Sequence, residues 1–164
     1  MLAVELTQIV SIDFICRDEN NKVLVGKRIN EPAKGMWFVP GGKIYKNEQR
    51  QEAIRRISLN ELGFSVNLNT HQDDSSKEYE CVLVGVNDHI YETNFMYKKD
   101  SNDKLISTHY VCLAYEVNIR PDRLNMAQFL RQHSDAQWMT PDEIISKNDV
   151  HEYTKKYFTG EFRF

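Results

Sequence analysis

Apolar and polar positions follow two periods along the chain, and the change of period marks its elements. Residues 7–16, TQIVSIDFIC, are rich in β-branched side chains and predict a strand. A polar turn, RDENNK (17–22), separates it from VLVGKR (23–28), which returns as the second arm of a hairpin. A loop (29–35) leads to MWFVP (36–40), a short buried strand. From 46 to 62 the period becomes helical. Ala53, Ile54 and Ile57 share one face with Leu62 nearby, Glu48, Gln51, Glu52, Arg55 and Arg56 lie largely elsewhere, and Gly63 supplies a stop. FSVNLN, EYECVLVGV and HYVCLAYEVNI predict three more strands, with a long polar and aromatic loop over 87–108 between the last two. Residues 120–140 predict a loop running into a short strand at 137–140. Thr140 as N-cap and Pro141 at the first helical position open another helix, and VHEYTKKYFTGEF suggests one more. With no repeat and no low-complexity linker, residues 1–164 read as one mixed α/β domain.

The length of 164 residues supports one sizeable core and not two comfortable ones. Net charge is −3, from 21 basic and 24 acidic residues, which argues against nucleic-acid binding by bulk electrostatics but permits a local basic pocket for phosphate. No apolar run is long enough for a bilayer, and the N-terminal stretch lacks a basic segment and a small-residue cleavage site. Cys16, Cys81 and Cys112 sit in apolar strands with no CxxC spacing, as expected of buried free thiols in a reducing cytoplasm.

The chemistry concentrates after the third strand. In MWFVPGGKIYKNE two adjacent glycines, costly in backbone entropy, precede a charged helix. They predict a sharp turn that bares a main-chain carbonyl, a hard oxygen ligand suited to Mg²⁺. Counting from Gly42, five residues lead to Glu48, seven more to Arg56, and Glu61, Gly63 and Phe64 follow. This 23-residue spacing resembles the signature of Nudix hydrolases, a loop–helix–loop that holds divalent metal against a nucleoside diphosphate. Where that signature carries further glutamates, this chain has Ile57 and Asn60, and only Glu61 remains of the acidic cluster. Several carboxylates can gather two or three metals to drive water at phosphorus. One carboxylate with a carbonyl holds a single Mg²⁺, enough to neutralise a leaving diphosphate.

The altered pattern, together with SIDFIC, GKRINEPAKGMWFVPGGK and THYVCLAYEV, resembles the GDP-mannose mannosyl hydrolases from about Ser11 to the C-terminal helix. The resemblance implies a Nudix fold, an α/β/α sandwich about a mixed sheet, in a homodimer. It also implies Mg²⁺-dependent hydrolysis of GDP-mannose or GDP-glucose at sugar C1 with inversion, with Mn²⁺ as an alternative ion. By matching position it assigns Glu61, Gln132 and the carbonyl of Gly42 (or of Gly41) to the metal, and His133 to the general base. Arg28 and Tyr110 match residues on the leaving diphosphate, and Asp13 and His89 match sugar contacts. Lys43 stands where arginine is expected, which keeps the charge but loses the bidentate fork.

The residues alone leave other readings open. Asp13 interrupts an apolar strand, so it is either a buried carboxylate in need of partners or part of an exposed face. His109 reads as structural and His151 as a helix-start residue. KKDSNDK (98–104) reads as a loop extension, and the lead-in before SIDF as short. Two rival functions stand beside the first: attack at phosphorus using Glu48, Glu52 and Glu61, or a catalytically silent nucleotide-sugar-binding module.

Overall fold

The computed structural model describes residues 7–68, 79–94 and 99–160. Its strands are β1 (Ile9–Arg17), β2 (Val23–Arg28), β3 (Trp37–Phe38), β4 (Gly41–Lys43), β5 (Asn67–Leu68), β6 (Glu80–Tyr91), β7 (Thr108–Asn118) and β8 (His133–Met139). The helices are α1 (Arg50–Leu62), α2 (Met126–Phe129), α3 (Pro141–Ser146) and α4 (Glu152–Lys156), with a 3-10 turn at Pro121–Arg123. The sheet runs β3-β2-β1-β7-β6-β5, with β4 on β1 and β8 on β2. It is mixed: β1 is parallel to β7, which puts Ile9 opposite Tyr110 and Asp13 opposite Ala114, and antiparallel to β4.

Alternation along β1 explains the layers. Ile12, Phe14 and Cys16 point into one core with Ala53, Ile54, Ile57 and Leu62 of α1. Ile15 points the other way, into a second core with Val23, Val25, Ile144 of α3 and Tyr157 just after α4. The result is helix on both faces of a mixed sheet, the expected α/β/α arrangement. Asp13 has the parity of Ile15, so the polar residue in this strand belongs to the second face. It is 8% exposed, and the exposed-face alternative is excluded.

Several expected boundaries move. The loop expected over 87–108 gives up its first part, because β6 continues to Tyr91 and pairs with β7 as far as Tyr91 opposite Thr108. Its apolar alternation is diluted by Asn87 and Asp88, which hid the strand. Residue 133 is not in a loop; it opens β8, which is longer than the predicted 137–140 and pairs with β2 in a register that sets Arg28 opposite His133. Helix α1 starts at Arg50, and residues 46–49 form its lead-in. Gly63 ends it in the left-handed region at φ 84°, its N–H donating to Ser58 O and Leu59 O. Thr140 caps α3 as expected, its hydroxyl accepting from Glu143 N at 3.2 Å. His151 caps α4, which is only five residues long. All three cysteines are buried free thiols. The expected short lead-in falls largely on residues 1–6, outside the described residues, as does residue 98 of the expected loop extension; Lys99 and Asp103 close the described part of that loop as an ion pair at 2.8 Å.

The glycine pair works differently from the turn expected of it. Gly41 and Gly42 lie within β4 and neither has positive φ. A Cβ on Gly41 would stand 2.3 Å from Ile12 O and 2.7 Å from Asp13 Oδ1, so glycine is needed for close approach to β1.

Candidate functional site

Seven of the nine residues singled out in the sequence line one cavity of ≈ 260 Å³: Asp13, Arg28, Gly42, Lys43, His89, Tyr110 and Gln132. The other two, Glu61 and His133, line a smaller adjoining cavity that shares Arg28, Gly41 and Gln132 with the first. The convergence follows from register and from one side-chain clamp. Strand pairing sets Arg28 beside His133 and His89 beside Tyr110. Gln128 Nε2 donates to Asn60 O at 2.9 Å, and Asn125 N donates to Leu62 O at 3.0 Å. Those bonds pin the α2 segment, and with it Gln132 and His133, to the end of α1 that carries Glu61.

Glu61 is 5% exposed, and among the described residues no hydrogen bond reaches its carboxylate. Burial raises its pKa from 4.5 to about 7, partly offset by the Arg28 charge. The other motif carboxylates are committed elsewhere. Glu48 takes two bonds from Arg56, at 2.6 and 2.8 Å, and one from Tyr45 N, and the Arg56 bonds chiefly hold its carboxyl below the ordinary range. Arg56 also donates to Lys43 O at 2.7 Å, bracing the glycine strand. Glu52 accepts from Gln49 N at the start of α1. The reduced acidic site required by the phosphorus-attack rival is therefore not assembled.

His133 is 6% exposed and stacks on Phe129, ring centroids 4.2 Å apart. Its Nδ1 lies 3.0 Å from Phe129 O. A carbonyl only accepts, so Nδ1 carries the proton and Nε2 keeps the lone pair a base needs. Burial first, and then the nearby Arg28, hold the imidazole below its ordinary pKa, so it is neutral at neutral pH. Gly26 supplies the ring's seat: a Cβ there would stand 2.2 Å from His133 Cδ2. Sequence reasoning missed Gly26, Gln128 and Phe129, and nothing in their local pattern distinguishes them.

Arg28 Nε is buried without a hydrogen-bond partner among the described residues, a donor in a cavity wall that suits an anion. Tyr110 has its hydroxyl pKa raised by burial and lowered in part by Arg28, which places the two in one electrostatic neighbourhood. Asp13 Oδ2 accepts from Tyr157 at 2.6 Å. His89 is 3% exposed and stacks face to face on Tyr153 at 4.2 Å, with burial lowering its pKa. By contrast His109 donates to Asp88 at 2.8 Å on the far side of the strand pair, outside both cavities.

The donor set fits a hard divalent cation. A buried carboxylate that the protein leaves unpaired, a Gln side chain and the strand carrying Gly42 border the same adjoining cavities. A second, separate group, Asp13, His89 and Cys112, brings three potential ligand atoms within 4.8 Å of one another.

Comparison with known proteins agrees with this architecture. The NUDIX domain family model matches residues 7–159, and the chain belongs to the Nudix family of hydrolases. The low-salt glycan biosynthesis protein Agl8 of Haloferax volcanii is 34% identical over 149 residues, covering 91% of this chain and 79% of that protein. Among solved structures, the MutT protein of Methanosarcina mazei Go1 superposes with a TM-score of 0.64 at 16% identity, over 92% of this chain and 90% of that one. The MutT Nudix hydrolase of Burkholderia pseudomallei gives 0.60 at 20% identity, over 91% and 94%. At these identities the two structures speak for the fold alone. No helix among the described residues is long and apolar enough to cross a membrane.

Proposed function

We propose that the protein hydrolyses GDP-mannose, and GDP-glucose, to GDP and the free hexose, by attack of water at sugar C1 with inversion. The observation that carries this reading is the state of the motif carboxylates: Glu48, in the lead-in to α1, and Glu52 are tied up in structural bonds, and of the three only Glu61 lines the cavities. A single carboxylate suits charge neutralisation on a leaving group better than a multi-metal assault on phosphorus. The similarity to a protein named for glycan biosynthesis supports a sugar-linked substrate.

In this reading Glu61, Gln132 and the Gly42 carbonyl would hold one Mg²⁺, which would supply Lewis-acid neutralisation of the diphosphate. Arg28, with its unsatisfied Nε, Lys43 and the Tyr110 hydroxyl receive the diphosphate oxygens. Asp13 and His89 hold the sugar. His133 Nε2 takes a proton from water as its oxygen bonds to C1. The C1–O bond breaks with its electron pair going to GDP, as in an inverting glycosidase whose leaving group needs no general acid. Homodimerisation belongs to the same reading on the family resemblance, and a cytoplasmic location on the three free thiols.

Incubation with GDP-mannose and Mg²⁺ in water enriched in heavy oxygen tests it. GDP and a free hexose carrying the label are expected. GMP with sugar phosphate, label in the nucleotide, or intact substrate would overturn it.

A further inference from the structure

We propose that Asp13, His89 and Cys112 form a binding site for Zn²⁺ inside the sugar end of the cavity, and that zinc bound there blocks hydrolysis. This is a different site, with different ligands, from the Mg²⁺ position at Glu61. Only its inhibitory consequence rests on the function proposed above.

The three side chains come from adjacent strands: β1 contributes Asp13, β7 Cys112 and β6 His89. A carboxylate oxygen, an imidazole nitrogen and Cys112 Sγ lie within 4.8 Å of one another, and all three residues are buried. For three atoms so spaced, some point lies within about 2.8 Å of all of them. Closing by roughly half an ångström gives zinc's bond lengths of about 2.0–2.3 Å.

An independent sign is at His89. Its Nε2 is fully buried with no hydrogen-bond partner among the described residues, an arrangement that costs free energy unless something else satisfies it. Surrounding groups already hold the ligands in place, as outer-shell partners do in metal sites. Tyr157 donates to Asp13 Oδ2 at 2.6 Å, with its oxygen 3.7 Å from Cys112 Sγ. The Tyr153 ring, nearly parallel to His89, fixes the plane of the imidazole.

One sulfur, one nitrogen and one oxygen select a borderline-soft ion over Mg²⁺, which prefers oxygen alone. On binding, a Zn–S bond forms and the Cys112 thiol proton leaves to solvent. Asp13 and His89 also line the large cavity, so a fourth coordination position opens into it. Zinc held there takes both residues away from the sugar.

Cobalt substitution reads the site directly. Metal-free protein titrated with Co²⁺ should develop a near-ultraviolet thiolate-to-cobalt band at one equivalent, and Zn²⁺ should abolish it. Cys112→Ser and Cys112→Ala should lose the band and keep the Mg²⁺-dependent activity. In turnover of GDP-mannose, Zn²⁺ at ten times its dissociation constant should slow the parent protein about tenfold, with no relief from added Mg²⁺. Both Cys112 variants should resist it. A band that survives in a folded Cys112 variant, or no thiolate band at saturating cobalt, would overturn the site. Zinc bound at one equivalent with undiminished turnover would overturn the inhibition. A protein that shows the band yet turns over no GDP-mannose would retain the metal site and fail the functional reading instead.

Discussion

Replacing Glu61 by Gln should make the metal-free protein more stable while destroying its activity. The carboxyl group has an ordinary pKa of 4.5, and burial lifts it to about 7 in the fold. The folded state therefore binds a proton more tightly than the unfolded chain, and stability falls as pH rises from 4.5 through 7, then levels off. At 1.36 kcal/mol per pH unit the gap corresponds to about 3 kcal/mol, an upper figure, lost at pH 8. The group is 5% exposed, so solvent screening does little to reduce it. Glutamine keeps the shape and carries no charge. Without metal at pH 8, Glu61→Gln should raise Tm by roughly 6–12 °C in a chain of this size. Near pH 4.5 the two proteins should melt nearly together, because the parent is then protonated too. Mg²⁺ should stabilise the parent and not the variant. Thermal melts with and without chelator, across pH, measure all of this. A variant less stable than the parent at pH 8 in chelator would show that Glu61 has an internal partner and is not a carboxylate held for a cation.

His133→Gln should lower kcat by ~10²–10⁴-fold with little change in KM, as expected for a lost general base, whereas His109→Gln should be nearly silent. With Mg²⁺ saturating, so that Glu61 stays ionised, the remaining acid limb should lie below 6.5, because burial depresses the His133 pKa, and it should vanish in the Gln variant. A parental acid limb in that variant would refute the assignment. Gly26→Ala should cost about 1–3 kcal/mol by overpacking and should reduce kcat by pushing the His133 ring from its seat, checked by melting and steady-state rates. Gln128→Leu should loosen the clamp between α2 and the end of α1, lowering kcat and Mg²⁺ affinity together. Unchanged values would place the convergence of Glu61 and His133 elsewhere.

The sequence by itself determined what is local or carried by spacing. The β-branched run in residues 7–16, the helical face of Ala53, Ile54 and Ile57, the Gly63 stop and the Thr140-Pro141 start are set by neighbouring residues, and the structure reproduces them. The 42–64 spacing likewise pointed to the Nudix family, because a helix with a glycine-rich lead-in positions its carboxylates through its own geometry. Tertiary structure decided everything that depends on which strand lies beside which. That Asp13 is buried against Tyr157, 144 residues away, follows from packing of the last helix on the second face of the sheet. Gly41 needs to be glycine because β4 closes on β1, a constraint no window around residue 41 contains. The His133 ring finds its seat only where the pairing of β2 with β8 sets Gly26 against it. Glu61 and Glu48 look alike along the motif. Their environments separate them, since Arg56 folds onto one and burial leaves the other unpaired at the cavity.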